Sequence, residues 1–406
     1  MRVLVTGASI VHALPVIRRL GRLGHEVTVA DSHPRASGYY SRYATSRWRY
    51  PALSEGPGRF VAALDDYLRQ RPHDWVVPLF EETIPLAQAQ ERAPGTIRAQ
   101  LGAYSKLMRF HDKAALQQFA AGAGVPMPDT VELGEVPAAF RFPAMLKVPQ
   151  SSCGRGVLRV STAAEVPGAL ARLAADHQLP ASVKVLLQQE IDAESISVFA
   201  FAWQGRPKGL LVYRSIGLYP RRGGSGVIRE SVRHAEVERH ARTLLTASGW
   251  HGPVGFDFLV ERKTGRVLLI DANPRLTPAV ELAARCGFDA VAMMVAASEP
   301  EDAGVVEPGK SNVTEPMLVS WLVECLVAGF SGWREAWQLM RPLLRASPDV
   351  LDARDLRSLL AGPAALVDWV RAARSPVPSG LELIRHGQYC DYNASPRATL
   401  AITGEP

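Results

Sequence analysis

GPVGFDFLVERKTGRVLLIDANPR, residues 252–275, sets two apolar runs on either side of a polar knot. Lys263–Gly265 between those runs predicts a β-hairpin with a three-residue turn. Residues two apart in a strand share a face, so Asp271 and Asn273 point one way and Ile270 and Ala272 the other. Asp257, flanked by Phe256 and Phe258, also turns away from the apolar side, and the turn sets it opposite Asp271. Two carboxylates and an amide oxygen crowded together repel until a hard cation joins them, and Mg2+ suits such oxygen ligands. A merely solvated hairpin face would more often mix Lys, Glu and Thr than gather two Asp and an Asn. Arg275, two residues beyond Asn273, is placed to hold a phosphate or carboxylate.

Outward from the hairpin, residues 1–100 alternate strands (RVLVTG, EVTVAD, WVVPLF) with amphipathic helices. That pattern predicts an N-terminal doubly wound parallel sheet, whose ligand edge lies in the loops after Thr6, Asp31 and Phe80. The start looks like a dinucleotide site, but Ile10, Val11 and Ala13 stand where further glycines belong after Gly7. Asp31 fits a ribose contact, yet Asp also ends strands for reasons of turn geometry. The fold is therefore expected without the dinucleotide. Glu81 and Glu82, at the same edge, could hold a substrate ammonium or simply start a helix.

Between these regions, HDKAALQQFAAGAGVPMP predicts a helix capped by Asp112 and stopped at Gly122–Pro126. FPAMLKVPQSSCGRGVLRVST predicts two strands joined by a Gly- and Ser-containing loop, and VKVLLQQEI and SISVFAFAW two more. Beyond residue 279 the chain reads as mostly helical. The expected units are 1–105, 106–187, 188–305 and a helical 306–406, whose Trp321, Trp333, Trp337 and Trp369 suggest packing or subunit contact. RHGQYCDYNASPR (385–397) is polar and aromatic and could cover a site.

Composition narrows the classes. The net charge is +6, yet basic and acidic residues are interspersed, which favours small anions over nucleic acid as partners. MLVSWLVECLVAGF (317–330) falls short of the roughly 20 residues of a membrane span and contains Glu324. Four scattered Cys, with no C-x-x-C pair, point away from zinc or a disulfide framework and towards the cytoplasm. Cys153 has no His near it in sequence and reads as a small loop residue. Only seven of the 46 basic residues are Lys, so a retained Lys suggests a position that needs a compact ammonium.

The order strand–Asp–hairpin–DANPR resembles the ATP-grasp superfamily, and other positions can be matched to it over about residues 1–300. The resemblance implies an ATP-grasp fold of two α+β lobes after the N-terminal sheet. It gives Lys113 and Lys147 the role of phosphate-contacting lysines, and makes SSCGRGV (151–157), with Ser151, Ser152, Gly154 and Gly156, the loop that covers the triphosphate. LQQEIDAESISV (187–198) resembles the hinge, where Gln189 and Ile191 would meet adenine and Glu194 the ribose. Asp257, Asp271 and Asn273 match the magnesium ligands, and Arg275 the arginine near the transferred phosphate. The sequence departs from the commoner pattern in two places: Asp271 replaces Glu, and Gln188–Gln189 replaces Glu followed by a hydrophobic residue.

The resemblance further implies ATP and Mg2+, with Mn2+ as an alternative ion, and catalysis resting on Arg275 and Lys147. The implied activity is a carboxylate–amine ligase that forms an amide through an acyl phosphate and acts on small-molecule carboxylate and amine substrates. YRSIGLYPRRGGSGVIRE (213–230) is similar to a substrate loop, with Arg214, Arg221, Arg222, Gly223 and Gly224, although an exposed basic loop would look the same. Biotin-carboxylase-like or carboxylate–thiol chemistry, or nucleotide binding without turnover, are the alternatives. No nucleic acid or membrane partner is expected, and a homodimer is left open.

Overall fold

The computed structural model describes residues 1–134, 139–151, 156–177, 179, 183–219, 225–327 and 330–361. Four parallel strands open the chain: β1 (Arg2–Thr6), β2 (Glu26–Asp31), β3 (Ala44–Arg49) and β4 (Trp75–Pro78), in the order β3-β2-β1-β4. β3 was not expected. Its sequence, ATSRWR, has no apolar run, because it is an edge strand whose residues alternate between half-buried and exposed. Val16, Ile17 and Leu20 of helix α1 (Ala13–Arg22) cover one face of the sheet. Phe60 and Leu64 of α2 (Pro57–Gln70) cover the other, and α3 (Thr83–Arg92) follows β4. The expected doubly wound sheet is present.

α4 (Tyr104–His111) and α5 (Lys113–Gly122) lead into a smaller antiparallel sheet. Its strands are β5 (Thr130–Glu132), β6 (Ala144–Lys147), β7 (Val157–Val160) and β8 (Leu186–Gln189), in the order β5-β8-β6-β7. Leu173 of α6 (Val166–His177) packs with Ala144, Leu146 and Val160 in its core.

The largest sheet begins with β9 (Ala193–Trp203), β10 (Arg206–Tyr219) and β11 (Ser225–Ser231). After α7 (Ala235–Ser248) come β12 (Gly252–Glu261) and β13 (Val267–Asn273), then α8 (Val280–Arg285) and α9 (Ala290–Met294). The C-terminal part, expected to be mostly helical, holds two helices and also adds two short strands. β14 (Ser311–Val313) and β15 (Ser347–Pro348), either side of α10 (Glu315–Val327) and α11 (Phe330–Arg345), complete a seven-stranded sheet, β13-β12-β9-β10-β11-β14-β15. Strands of two and three residues are too short to show a period. Trp369 and residues 385–397 lie outside the described residues.

The opening hairpin turns differently from the expectation but arrives at the same pairing. Glu261 pairs with Arg266 across a four-residue turn, which left alone would bring Ile270 opposite Asp257. A bulge at Ile270 takes up the extra residue, so Phe258 faces Leu269 and Asp257 still faces Asp271. The bulge lets Leu269 and Ala272 both enter the core that Phe256 and Phe258 share. Packing on one face thus sets the register of the charged face.

Candidate active site

At the N-terminal sheet the dinucleotide reading fails on geometry. The Gly7 amide, in a loop that needs φ +76°, donates to Tyr50 Oη at 3.0 Å, and a Cβ there would lie 3.2 Å from Glu82 Oε2. The Ser9 amide donates to Asp31 Oδ2 at 2.7 Å. The backbone donors a pyrophosphate would use are spent on the chain's own groups. Asp31 holds its loop in place, its carboxyl pushed up by burial.

The chemistry gathers where the large sheet, the small sheet and α5 meet. Asp257 and Asp271 face each other on β12 and β13, and Ser197 sits opposite Asp257 on β9. Ser197 Oγ donates to Asp257 Oδ1 at 2.6 Å, and Asn273 Nδ2 donates to Oδ2 at 3.2 Å. Burial, and then the neighbouring Asp271, push the Asp257 carboxyl up to about 6. Two half-buried carboxylates facing each other, with an amide beside them, fit a divalent cation. Asn273 now offers its oxygen to Arg275 Nη2 at 3.1 Å, and turning its amide over would redirect that oxygen to the ion. Among the described residues no three His, Cys, Asp or Glu side chains converge on a metal-binding group, so the candidate rests on two Asp and one Asn.

Both lysines reach this patch. Asp112 caps α5 by accepting the amides of Ala114 and Ala115, which fixes Lys113 at the helix start. Lys113 Nζ lies 3.7 Å from Asp271 Oδ1 and donates to the Ser151 carbonyl at 3.0 Å. Lys147, on β6, donates to Gln188 Oε1 at 2.6 Å, and burial pushes its ammonium down to about 8. A Glu at 188 would neutralise that ammonium; Gln188 accepts a charge-assisted hydrogen bond from it and leaves its charge uncompensated.

Ser151 and Gly156 flank the loop expected to cover the triphosphate. A Cβ on Gly156 would meet the Ser151 Cβ at 2.8 Å, so glycine is what lets the two flanks meet. Ser152, Cys153 and Gly154 lie outside the described residues, as do Arg221, Arg222, Gly223 and Gly224.

Arg275 closes the far side. Its guanidinium lies over the Phe80 ring, 4.4 Å from the centroid, and its Nε is 3.6 Å from Glu81 Oε1. Both residues are buried, and His111 Nε2, at the end of α4, lies 3.9 Å from Glu81 Oε2. Burial, followed by Lys113 and Arg275, pushes His111 down to about 3, so it is neutral at physiological pH.

Other expected residues stand apart. The Gln189 amide donates to the Asp129 carbonyl at 2.8 Å, and Ile191 follows β8 between the two sheets. Arg214 is taken by Glu230 across the β10–β11 pairing, Nη2 to Oε2 at 2.7 Å, and its Nη1 is 3.8 Å from Glu194 Oε1. Sequence reasoning missed Ser197, Phe80 and His111. Ser197 had a signal, a polar residue inside the apolar run ISVFAFAW, whereas His111 is adjacent to Glu81 only in space.

No protein-family model matches the sequence, and no curated protein matches it either. Solved structures do match in three dimensions. A biotin carboxylase from Campylobacter jejuni, in a complex with β,γ-ATP, superposes with TM-score 0.64 at 17% identity, covering 76% of this chain and 74% of that one. An L-amino acid ligase from Bacillus licheniformis matches with TM-score 0.59 at 15% identity, over 76% of this chain and 78% of that one. An N5-carboxyaminoimidazole synthetase from Staphylococcus aureus, complexed with ADP, gives 0.60 at 12% identity, over 76% and 80%. The chain therefore shares the fold of these three enzymes over about three quarters of its length.

Proposed function

We propose that the protein is an ATP-dependent, ADP-forming carboxylate–amine ligase acting on a small amino-acid or peptide-like substrate. The observation that carries this reading is the buried Arg275–Glu81 pair beside Lys113, Lys147, Asp257 and Asp271. A zwitterionic substrate replaces such an internal pair group for group: its carboxylate takes Arg275 and its ammonium takes Glu81. The pairing leaves both protein charges matched, bound or empty, and so avoids the cost of an isolated buried charge.

In this reading Lys113 and Lys147 neutralise the polyphosphate, and Ser151 and Gly156 flank the covering loop, which carries Ser152 and Gly154. The backbone at Gln189 and Ile191 meets adenine, and Glu194 the ribose. Asp257, Asp271 and Asn273 hold Mg2+, or Mn2+, which when bound would neutralise phosphate charge as it develops. A substrate carboxylate oxygen forms a bond to the γ-phosphorus while the bond to the ADP oxygen breaks, with Arg275 beside the moving phosphoryl group. The amine nitrogen then bonds to the acyl carbon, the carbon–oxygen bond to phosphate breaks, and an amide, phosphate and a proton are released. Water must be excluded while the acyl phosphate exists, which is the covering loop's task. Arg214, Arg221, Arg222, Gly223 and Gly224 would present the substrate loop.

ADP release measured against pools of single amino acids, dipeptides and bicarbonate tests the proposal. Amino acids or dipeptides should stimulate release in the wild type, and Asp271→Asn should reduce it to background while the melting temperature is kept. Stimulation by bicarbonate alone would favour the carboxylase-like alternative, and turnover by Asp271→Asn would remove the metal assignment.

A further inference from the structure

Among the described residues, thirteen large hydrophobic side chains are exposed, and eleven of them lie between Val319 and Leu360. Seven belong to the α10–α11 hairpin, in two stripes. α10 exposes Val319, Leu322 and Leu326, spaced i, i+3, i+7; α11 exposes Trp333, Trp337, Met340 and Leu344, spaced i, i+4, i+7, i+11. These are the spacings by which one helix seats on another. The inner faces are already used: Trp321, Cys325 and Leu339 pack with Val227, Ile228 and Val313 of the large sheet.

We infer that the outer face of the α10–α11 hairpin is the interface between two copies of this chain, with α10 of each copy packed across α11 of the other. Three observations select a second copy as the occupant. First, α10 (EPMLVSWLVECLV) is apolar nearly all round, the mark of a helix covered on every side, and among the described residues only its Met317, Trp321 and Cys325 side is covered, Val319, Leu322 and Leu326 being exposed. Second, the area is sufficient. Trp333 is 61% exposed, Trp337 81% and Leu344 82%. With a Trp worth roughly 150–250 Å², the two stripes approach the ~800 Å² per partner of a standard interface and exceed the patch a monomer usually leaves open.

Third, the charges complement each other. α10 carries Glu324 and Glu315, the latter already accepting the amides of Asp349, Val350 and Leu351, and no Lys or Arg, while α11 carries Arg334, Arg341 and Arg345 against Glu335 alone. A two-fold axis that crosses α10 with the partner's α11 sets the acidic helix on the basic one twice over. α11, with Trp333, Trp337 and three Arg, would by itself suit a lipid surface, but α10 beside it carries two Glu and no Lys or Arg and gives anionic headgroups nothing to hold.

Sedimentation equilibrium of the full-length protein over nanomolar to micromolar concentrations tests the inference. The wild type should be a dimer at micromolar concentration, and Trp337→Glu combined with Leu344→Glu should weaken association by about a hundredfold or more. The double variant should keep the wild-type melting temperature. If it fails to fold, the wild type supplies a second readout: tryptophan emission must shift to the blue over the same concentrations as Trp333 and Trp337 leave water. A wild type monomeric at micromolar concentration, a dimer indifferent to the substitutions, or unchanged emission overturns the inference. So does a monomer that binds anionic phosphatidylglycerol vesicles through these residues.

Discussion

Glu82 is the clearest case of a single residue carrying a cost. It is buried, receives the Tyr50 hydroxyl at 2.6 Å, and its Oε2 has no hydrogen-bond partner among the described residues. Burial pushes its carboxyl up to about 7. Between the ordinary Glu value and that one, the folded protein keeps a proton that the unfolded chain releases, so stability falls as pH rises through this window. Glu82→Gln keeps the acceptor for Tyr50 and removes the titration. Chemical denaturation at pH 5 and pH 8 should show the variant gaining on the wild type at the higher pH, by on the order of 2–3 kcal/mol. An equal pH slope in both proteins would assign the strain elsewhere.

At the scale of elements, the site is a row written across strands. Asp271, Asp257, Ser197 and Tyr213 occupy matching positions on β13, β12, β9 and β10. The alternation of each strand was legible in the sequence, and it put Asp257 and Asp271 on one face correctly. The four-residue turn and the bulge at Ile270 were not, because the core on the opposite face decides them. Ser197 orients Asp257 through its hydrogen bond, and a partner of that kind would tune the proposed magnesium ligand. Ser197→Ala should lower the affinity for magnesium–nucleotide about 10- to 100-fold in calorimetry, with little change in melting temperature. Unchanged affinity would make the hydrogen bond incidental.

Across the whole molecule, the segment after α11 acts as a strap. Arg18, buried in α1, donates from Nε to Asp355 Oδ2 at 2.8 Å and from Nη2 to the Val350 carbonyl at 2.8 Å and to Ser358 Oγ at 2.7 Å. Asp355 also accepts the Ser41 hydroxyl and the Arg42 amide. β14 and β15 belong to the large sheet, so the strap ties that sheet to the N-terminal one. Removing one partner leaves an uncompensated buried charge. Asp355→Ala should therefore cost about 3–5 kcal/mol in urea denaturation, and a loss below 1 kcal/mol would show that the strap is dispensable.

What the amino-acid sequence determined by itself was whatever repeats within a few residues: the strand and helix periods, the cap at Asp112, the charged face of the 252–275 hairpin and the spacing of DANPR. These are readable because neighbouring side chains obey the local geometry of the backbone. Tertiary structure alone decided that Glu81 meets Arg275 and His111, that Lys147 is held by Gln188, and that Arg18 reaches Asp355, 337 positions away. No local period links such residues. Their meeting is set by how the sheets and helices pack, and packing answers to the shape of the whole core rather than to any one stretch of chain.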